Sequence, residues 1–178
     1  MYYGQYCLGS FSLNATMEEL PIPPANSKCR VVLCGSLSFY GHIIQVRNLL
    51  RNNGIIAIPP HPPFDNSNPT EVNVAESRRA EAFAHLRRIK YPLTRAILVV
   101  NPEKHGIKGY IGPSTFAEIC VAFSHSKKIF VLYDFPSVFE QELSEWNATP
   151  FLGDLDTCVK EVVNIIRKYD NKQMQLEF

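Results

Sequence analysis

Gly109-Tyr110-Ile111-Gly112-Pro113-Ser114-Thr115-Phe116-Ala117-Glu118-Ile119 is the stretch on which the reading of this chain turns. It follows Arg95 to Val100, an apolar run that reads as a buried strand, and its own pattern changes from glycine-punctuated loop to helix. Gly112 and Pro113 suit a helix cap and first helical residue, because proline has no amide proton to waste there. Ser114, Thr115 and Glu118 lie three to four residues apart and share one helical face. Phe116, Ile119 and Phe123 form another, expected to pack on a sheet. A carboxylate beside a loop that follows a parallel strand stands where open α/β sheets hold their ligands.

Outward from this stretch the chain alternates. Arg30-Val31-Val32-Leu33-Cys34 is a β-branched run ended by Gly35-Ser36, and His42 to Asn53 carries helical spacing through Ile43, Val46, Leu49 and Leu50 up to Gly54. Ile55 to Ile58 reads as a second strand. Pro59-Pro60-His61-Pro62-Pro63, with four prolines in five residues, excludes helix and central strand, so 59 to 71 is a stiff loop. Glu71 to Lys90 is a charged helix with Ala75, Ala82, Phe83, Leu86 and Ile89 as its inner face. Lys128 to Tyr133, Ser137 to Trp146 and Pro150 to Leu152 read as strand, short helix and short strand. Asp154 caps a closing helix to Tyr169. Strands alternating with helices mean βαβ units and a parallel sheet, here a five-stranded, doubly wound, flavodoxin-like α/β sandwich. The domain is placed at 28–170, with an extension at 1–27 ending in Pro21-Ile22-Pro23-Pro24 and a polar tail at 171–178.

Composition bounds the rest. A length of 178 residues holds one domain with a real core, and 46% hydrophobic with 20% charged residues fits an ordinary globular protein. A net charge of +1 gives no argument for a nucleic acid polymer or a membrane surface. The five cysteines are odd in number and lack CxxC spacing, so they are read as reduced, in a cytoplasmic protein, with no metal site. Cys34 and Cys120 sit in apolar runs as small hydrophobes. The N-terminus lacks the basic start and long apolar core of a signal peptide, and no run reaches transmembrane length. There is no GxGxxG fingerprint and no GxxxxGK[ST] loop, so neither a nicotinamide nor a P-loop nucleotide site is expected, and no cofactor is called for.

Among residues that could carry chemistry, Glu118 leads. A glutamate near a helix start often only complements the helix dipole; set among small and apolar neighbours behind a glycine loop, it suits a nucleophile at a sugar's anomeric carbon. Gly35 and Ser36 could offer backbone amides and a hydroxyl to a ligand oxygen, or form an ordinary tight turn. Asn101 directly follows the third strand. His85, His61 and His105 are weaker, and Arg78-Arg79 with Arg87-Arg88 reads as a solvated helix face.

Together, Val31-Val32-Leu33-Cys34-Gly35-Ser36, Ala96-Ile97-Leu98-Val99-Val100-Asn101 and the opening stretch resemble the nucleoside 2-deoxyribosyltransferase-like family, which includes deoxynucleoside-monophosphate N-hydrolases. The likeness spans about residues 30 to 157. It implies Glu118 as the nucleophile at the N-glycosidic carbon, Gly35 and Ser36 near the base, Ser114 and Thr115 near the sugar or its 5′ end, a nucleoside or nucleotide as the small-molecule ligand, and a homo-oligomer. Three departures stand out. His85 is the best match to an aspartate usual on the helix before strand three, Arg95 replaces another, and Gly112 takes the place of an acid that handles the base's proton in the transferases. A nucleotide sensor without turnover and a phosphoribohydrolase, whose loop also ends in Thr-x-x-Glu, are the alternatives; the missing double glycine before Thr115 counts against the latter.

Overall fold

In a computed structural model the described residues are 28–62 and 71–175, the side chains of 71–75 and 173–175 excepted. The expected extension at 1–27, the second half of the proline loop (63–70) and 176–178 lie outside them. The strands β1 (Arg30–Cys34), β2 (Ile56–Ile58), β3 (Thr94–Val99), β4 (Lys128–Val131) and β5 (Thr149–Pro150) are all parallel, in the order β2-β1-β3-β4-β5. Parallel neighbours need long crossovers. Helices α1 (Tyr40–Asn52), α2 (Glu71–Lys90), α3 (Pro113–Ser124), α4 (Glu140–Glu145) and α5 (Leu155–Gln175) alternate with the strands and cover both faces. This is the doubly wound, flavodoxin-like arrangement, and its strand order reverses direction between β1 and β3. No helix among the described residues is long and apolar enough to cross a membrane.

Period-two alternation divides the central strands between two cores. Val31, Leu33, Ala96, Leu98 and Val100 meet Ile43, Val46 and Leu50 of α1 and Cys158, Val162 and Ile166 of α5. Val32, Cys34, Ile97 and Val99 face the other way, toward Ile89 of α2 and Ile119 and Ala122 of α3. Both faces being covered, the strands read as continuous apolar runs. Two glycines mark close backbone approach at the strand ends. Gly35 has φ +151, and a Cβ there would stand 2.6 Å from the Val100 carbonyl oxygen. Gly109 has φ +63, and its Cβ would collide with the carbonyl oxygen of Asp134.

The caps lie where expected: Gly112 is the N-cap and Pro113 the first residue of α3, and Asp154 Oδ1 accepts from the Thr157 amide at 3.0 Å. Three side-chain and boundary expectations are corrected. The sheet-facing face of α3 is Thr115, Ile119 and Ala122. Phe116 packs against the edge of the same core, stacked on Phe139 at 4.0 Å, whereas Phe123 is exposed on the flank, where its ring gains contact by stacking on Trp146 at 4.7 Å. On α2, Ala82 and Phe83 are exposed and His85 is buried instead, since residues one turn from Ile89 set the buried stripe; the Ala75 side chain lies outside those described. The closing helix runs on to Gln175 through most of the segment read as a tail. Asp170 accepts from the Cys29 amide at 2.7 Å, anchoring the helix to the start of β1, and Lys172, Gln173 and Met174 are good helix formers.

Candidate active site

A cavity of about 520 Å³ opens at the reversal point of the sheet. Its floor is the turn after β1, with Gly35 and Ser36; one wall is the start of α3, with Gly112, Ser114, Thr115 and Glu118; the other is α2, with Arg78, Glu81 and His85. The α3 wall follows from the sequence. Gly112 and Pro113 start the helix, and its first amides, which have no partner within the helix, lie at the cavity with the positive end of the helix dipole. Ser114, Thr115 and Glu118, one turn apart, all line the space.

Glu118 and His85 meet across the two helices. Glu118 Oε1 lies 3.7 Å from His85 Nε2, and the same nitrogen lies 3.8 Å from Cys34 Sγ at the end of β1. Burial raises the Glu118 carboxyl from 4.5 to about 7, with a hydrogen bond from Cys34 opposing it. Burial, with a smaller push from the Arg88 charge, lowers His85 to about 4. Burial also drives the Cys34 thiol well above its ordinary value, and the Glu118 charge adds to that. His85 is therefore neutral at pH 7 and no counter-charge for the acid. The 3.7 Å contact is longer than a hydrogen bond. Glu118 Oε2 and His85 Nδ1 are buried with no hydrogen-bond partner among the described residues.

Most sequence candidates converge. Gly35, Ser36, His85, Gly112, Ser114, Thr115 and Glu118 line one cavity. Asn101 does not. It is fully buried, donates to the Asp134 carbonyl at 2.9 Å and accepts from the Tyr133 amide at 3.0 Å, so its amide joins the ends of β3 and β4. Cys34, read as a core hydrophobe, presents its sulfur to His85, because it occupies the face of β1 opposite to Leu33. Arg78, read as part of a solvated face, lines the cavity, as does His61, whose Nδ1 lies 2.9 Å from Glu81 Oε1. His105 lies beside Tyr110, with ring centroids 6.3 Å apart, and is no lining residue.

Sequence reasoning missed Lys104, Tyr110 and Glu81. Tyr110 and Glu81 line the cavity, and Lys104 Nζ donates to Ser38 Oγ at 2.9 Å and to Ser36 Oγ at 3.3 Å. The available signal was His105-Gly106: both have φ > 0, folding Lys104 back against Ile107 in a tight turn. The assembled site offers one buried carboxyl poised between its two protonation states, a neutral imidazole and a buried thiol behind it, with Arg78 and Glu81 in the lining and Lys104 beside Ser36. That set suits covalent chemistry on a small polar ligand. No family model, curated protein or solved structure matches this chain significantly.

Proposed function

We propose that this chain is an N-glycosidic enzyme acting on a nucleoside or nucleotide. The Glu118 carboxylate attacks the anomeric carbon, the base departs through an oxocarbenium-like transition state, and water or a second base resolves the glycosyl-enzyme ester. The observation that carries this reading is Glu118 itself: a carboxyl buried in a cavity wall, beside a helix start, with a pKa of about 7 and no lysine or arginine paired with it among the described residues. Support also comes from the cavity volume, which is of ligand size. Ser114, Thr115 and the α3 amides suit the sugar or its 5′ substituent, and Gly35 and Ser36 suit the base. Arg78 and Lys104 favour an anionic substrate such as a nucleoside monophosphate. With Gly112 in place of an acid, hydrolysis is favoured over base exchange. The assembly belonging to this reading is a homo-oligomer.

The test is release of free base from a panel of deoxynucleosides and their monophosphates, followed chromatographically. Wild type should release base, and Glu118→Ala should lose about 10³-fold or more of that rate. No release by wild type, or equal release by the variant, sinks the proposal. Tight binding without turnover, with Glu118→Gln tolerated, would instead mark a nucleotide sensor.

A further inference from the structure

The three groups that meet at the cavity wall are also a ligand set. We propose that Cys34, His85 and Glu118 bind one thiophilic divalent cation, zinc being the type, and that the bound cation takes Glu118 out of action. The thiol sulfur, a ring nitrogen and a carboxylate oxygen all lie within 4.8 Å of one another. Two of the edges are 3.8 and 3.7 Å. Tetrahedral zinc, with bonds of about 2.3 Å to sulfur and about 2.0–2.1 Å to nitrogen or oxygen, sets its ligand atoms roughly 3.3–3.6 Å apart. Contraction by a few tenths of an ångström therefore closes each of those edges, within the reach of side-chain rotation.

The surroundings leave these ligands for one another. His85 is 4% exposed and Cys34 fully buried, and the ring's Nε2 contacts are Cys34 and Glu118. Glu118 Oε2 has no hydrogen-bond partner, and no lysine or arginine pairs with the carboxylate among the described residues. A thiolate and a carboxylate supply two negative charges and imidazole none, so a divalent ion leaves the buried site neutral. The ligand types select zinc or a similar soft ion over magnesium and calcium, which take oxygen. As the metal–sulfur bond forms, the thiol proton leaves to solvent, as does any proton on the carboxyl. His85 and Glu118 line the cavity, from which a water can supply the fourth ligand. Residues 34, 85 and 118 come from a strand and two helices, which is why cysteine spacing in the sequence says nothing of the site.

Binding is independent of the glycosidic reading; only the inhibitory consequence rests on it. The test uses the full chain, reduced and freed of metal. Zinc is titrated against a chromophoric chelator, and cobalt(II) binding is followed by absorbance. Wild type should take up one equivalent of zinc and show a thiolate-to-cobalt charge-transfer band in the near ultraviolet. Cys34→Ser should abolish the band and weaken zinc binding at least about 10-fold, and His85→Gln should weaken it similarly. Cys120→Ser should leave both unchanged, which sets aside a partly exposed thiol. Absence of the band in wild type overturns the proposal, as does equal zinc affinity in Cys34→Ser, or loss of the band in Cys120→Ser. If Cys34→Ser does not fold, the wild-type band and the weaker zinc binding of His85→Gln decide the matter, equal affinity in that variant overturning the proposal. Zinc binding in a protein that never releases base would leave the site standing and remove the proposed enzyme.

Discussion

Glu118 and His85 tie folding to pH in opposite directions. Glu118, raised from 4.5 to about 7, holds its proton more tightly in the fold than in the unfolded chain, so rising pH lowers stability across that interval. His85, lowered from 6.5 to about 4, holds its proton less tightly, so rising pH raises stability between those values. The slopes oppose each other where the intervals overlap, and the metal-free wild type should be nearly flat there. Glu118→Gln removes one of them. Its stability, from urea unfolding in the presence of a chelator, should climb by on the order of 3 kcal/mol from about pH 4 to about pH 6.5. Parallel curves for the two proteins would refute the assignment. Under the same metal-free conditions, base release should rise with pH through about 7, since only the ionised carboxylate attacks. Gly35→Ala tests a different residue-scale constraint. Its Cβ would meet the Val100 carbonyl at 2.6 Å with φ already positive, and a loss of about 2 kcal/mol or more in the same unfolding assay is expected.

At the scale of elements, what the chain's pattern reveals is what depends on neighbours along it. The cap at Gly112 and Pro113 and the shared face of Ser114, Thr115 and Glu118 are local facts, and they carry over into the structure intact. The partners of α3 are not local. Phe123 looks like core from spacing alone, yet it is exposed and stacks on Trp146, while Phe116 reaches the core beside Phe139; the positions of both partners depend on how α4 and the turn before it return to the sheet. Cys34 looks like any strand hydrophobe until α2 sets His85 against it; Arg78 is exposed, as a solvated face requires, and only the placing of α2 beside α3 sets it at the cavity as well. Asn101 is a strand-end residue like a ligand-binding one, and only the approach of β4 shows its amide already engaged. The aromatic stack should carry real weight. Trp146→Ala, which removes contacts to two rings of α3, should cost about 2–4 kcal/mol and lower the melting temperature measured by circular dichroism.

Over the whole molecule, the cavity exists because the strand order reverses between β1 and β3, leaving a gap that loops from opposite directions rim. Its lining carries Arg78 and Glu81 on α2, and Lys104 adds a second positive charge beside the lining residue Ser36. Under the proposed function Arg78→Ala should raise KM for a nucleoside monophosphate about 10-fold while leaving the free nucleoside little affected, as steady-state kinetics on the pair would show. A uniform loss on both would instead mark a role in holding α2 in place. The stack against α3 has a further use. Trp146 is the chain's single tryptophan, and it lies against the helix that carries Glu118. Its emission therefore comes from one known place, and a nucleotide or a metal ion that shifts α3 by a fraction of an ångström writes that shift into the fluorescence without any label being added.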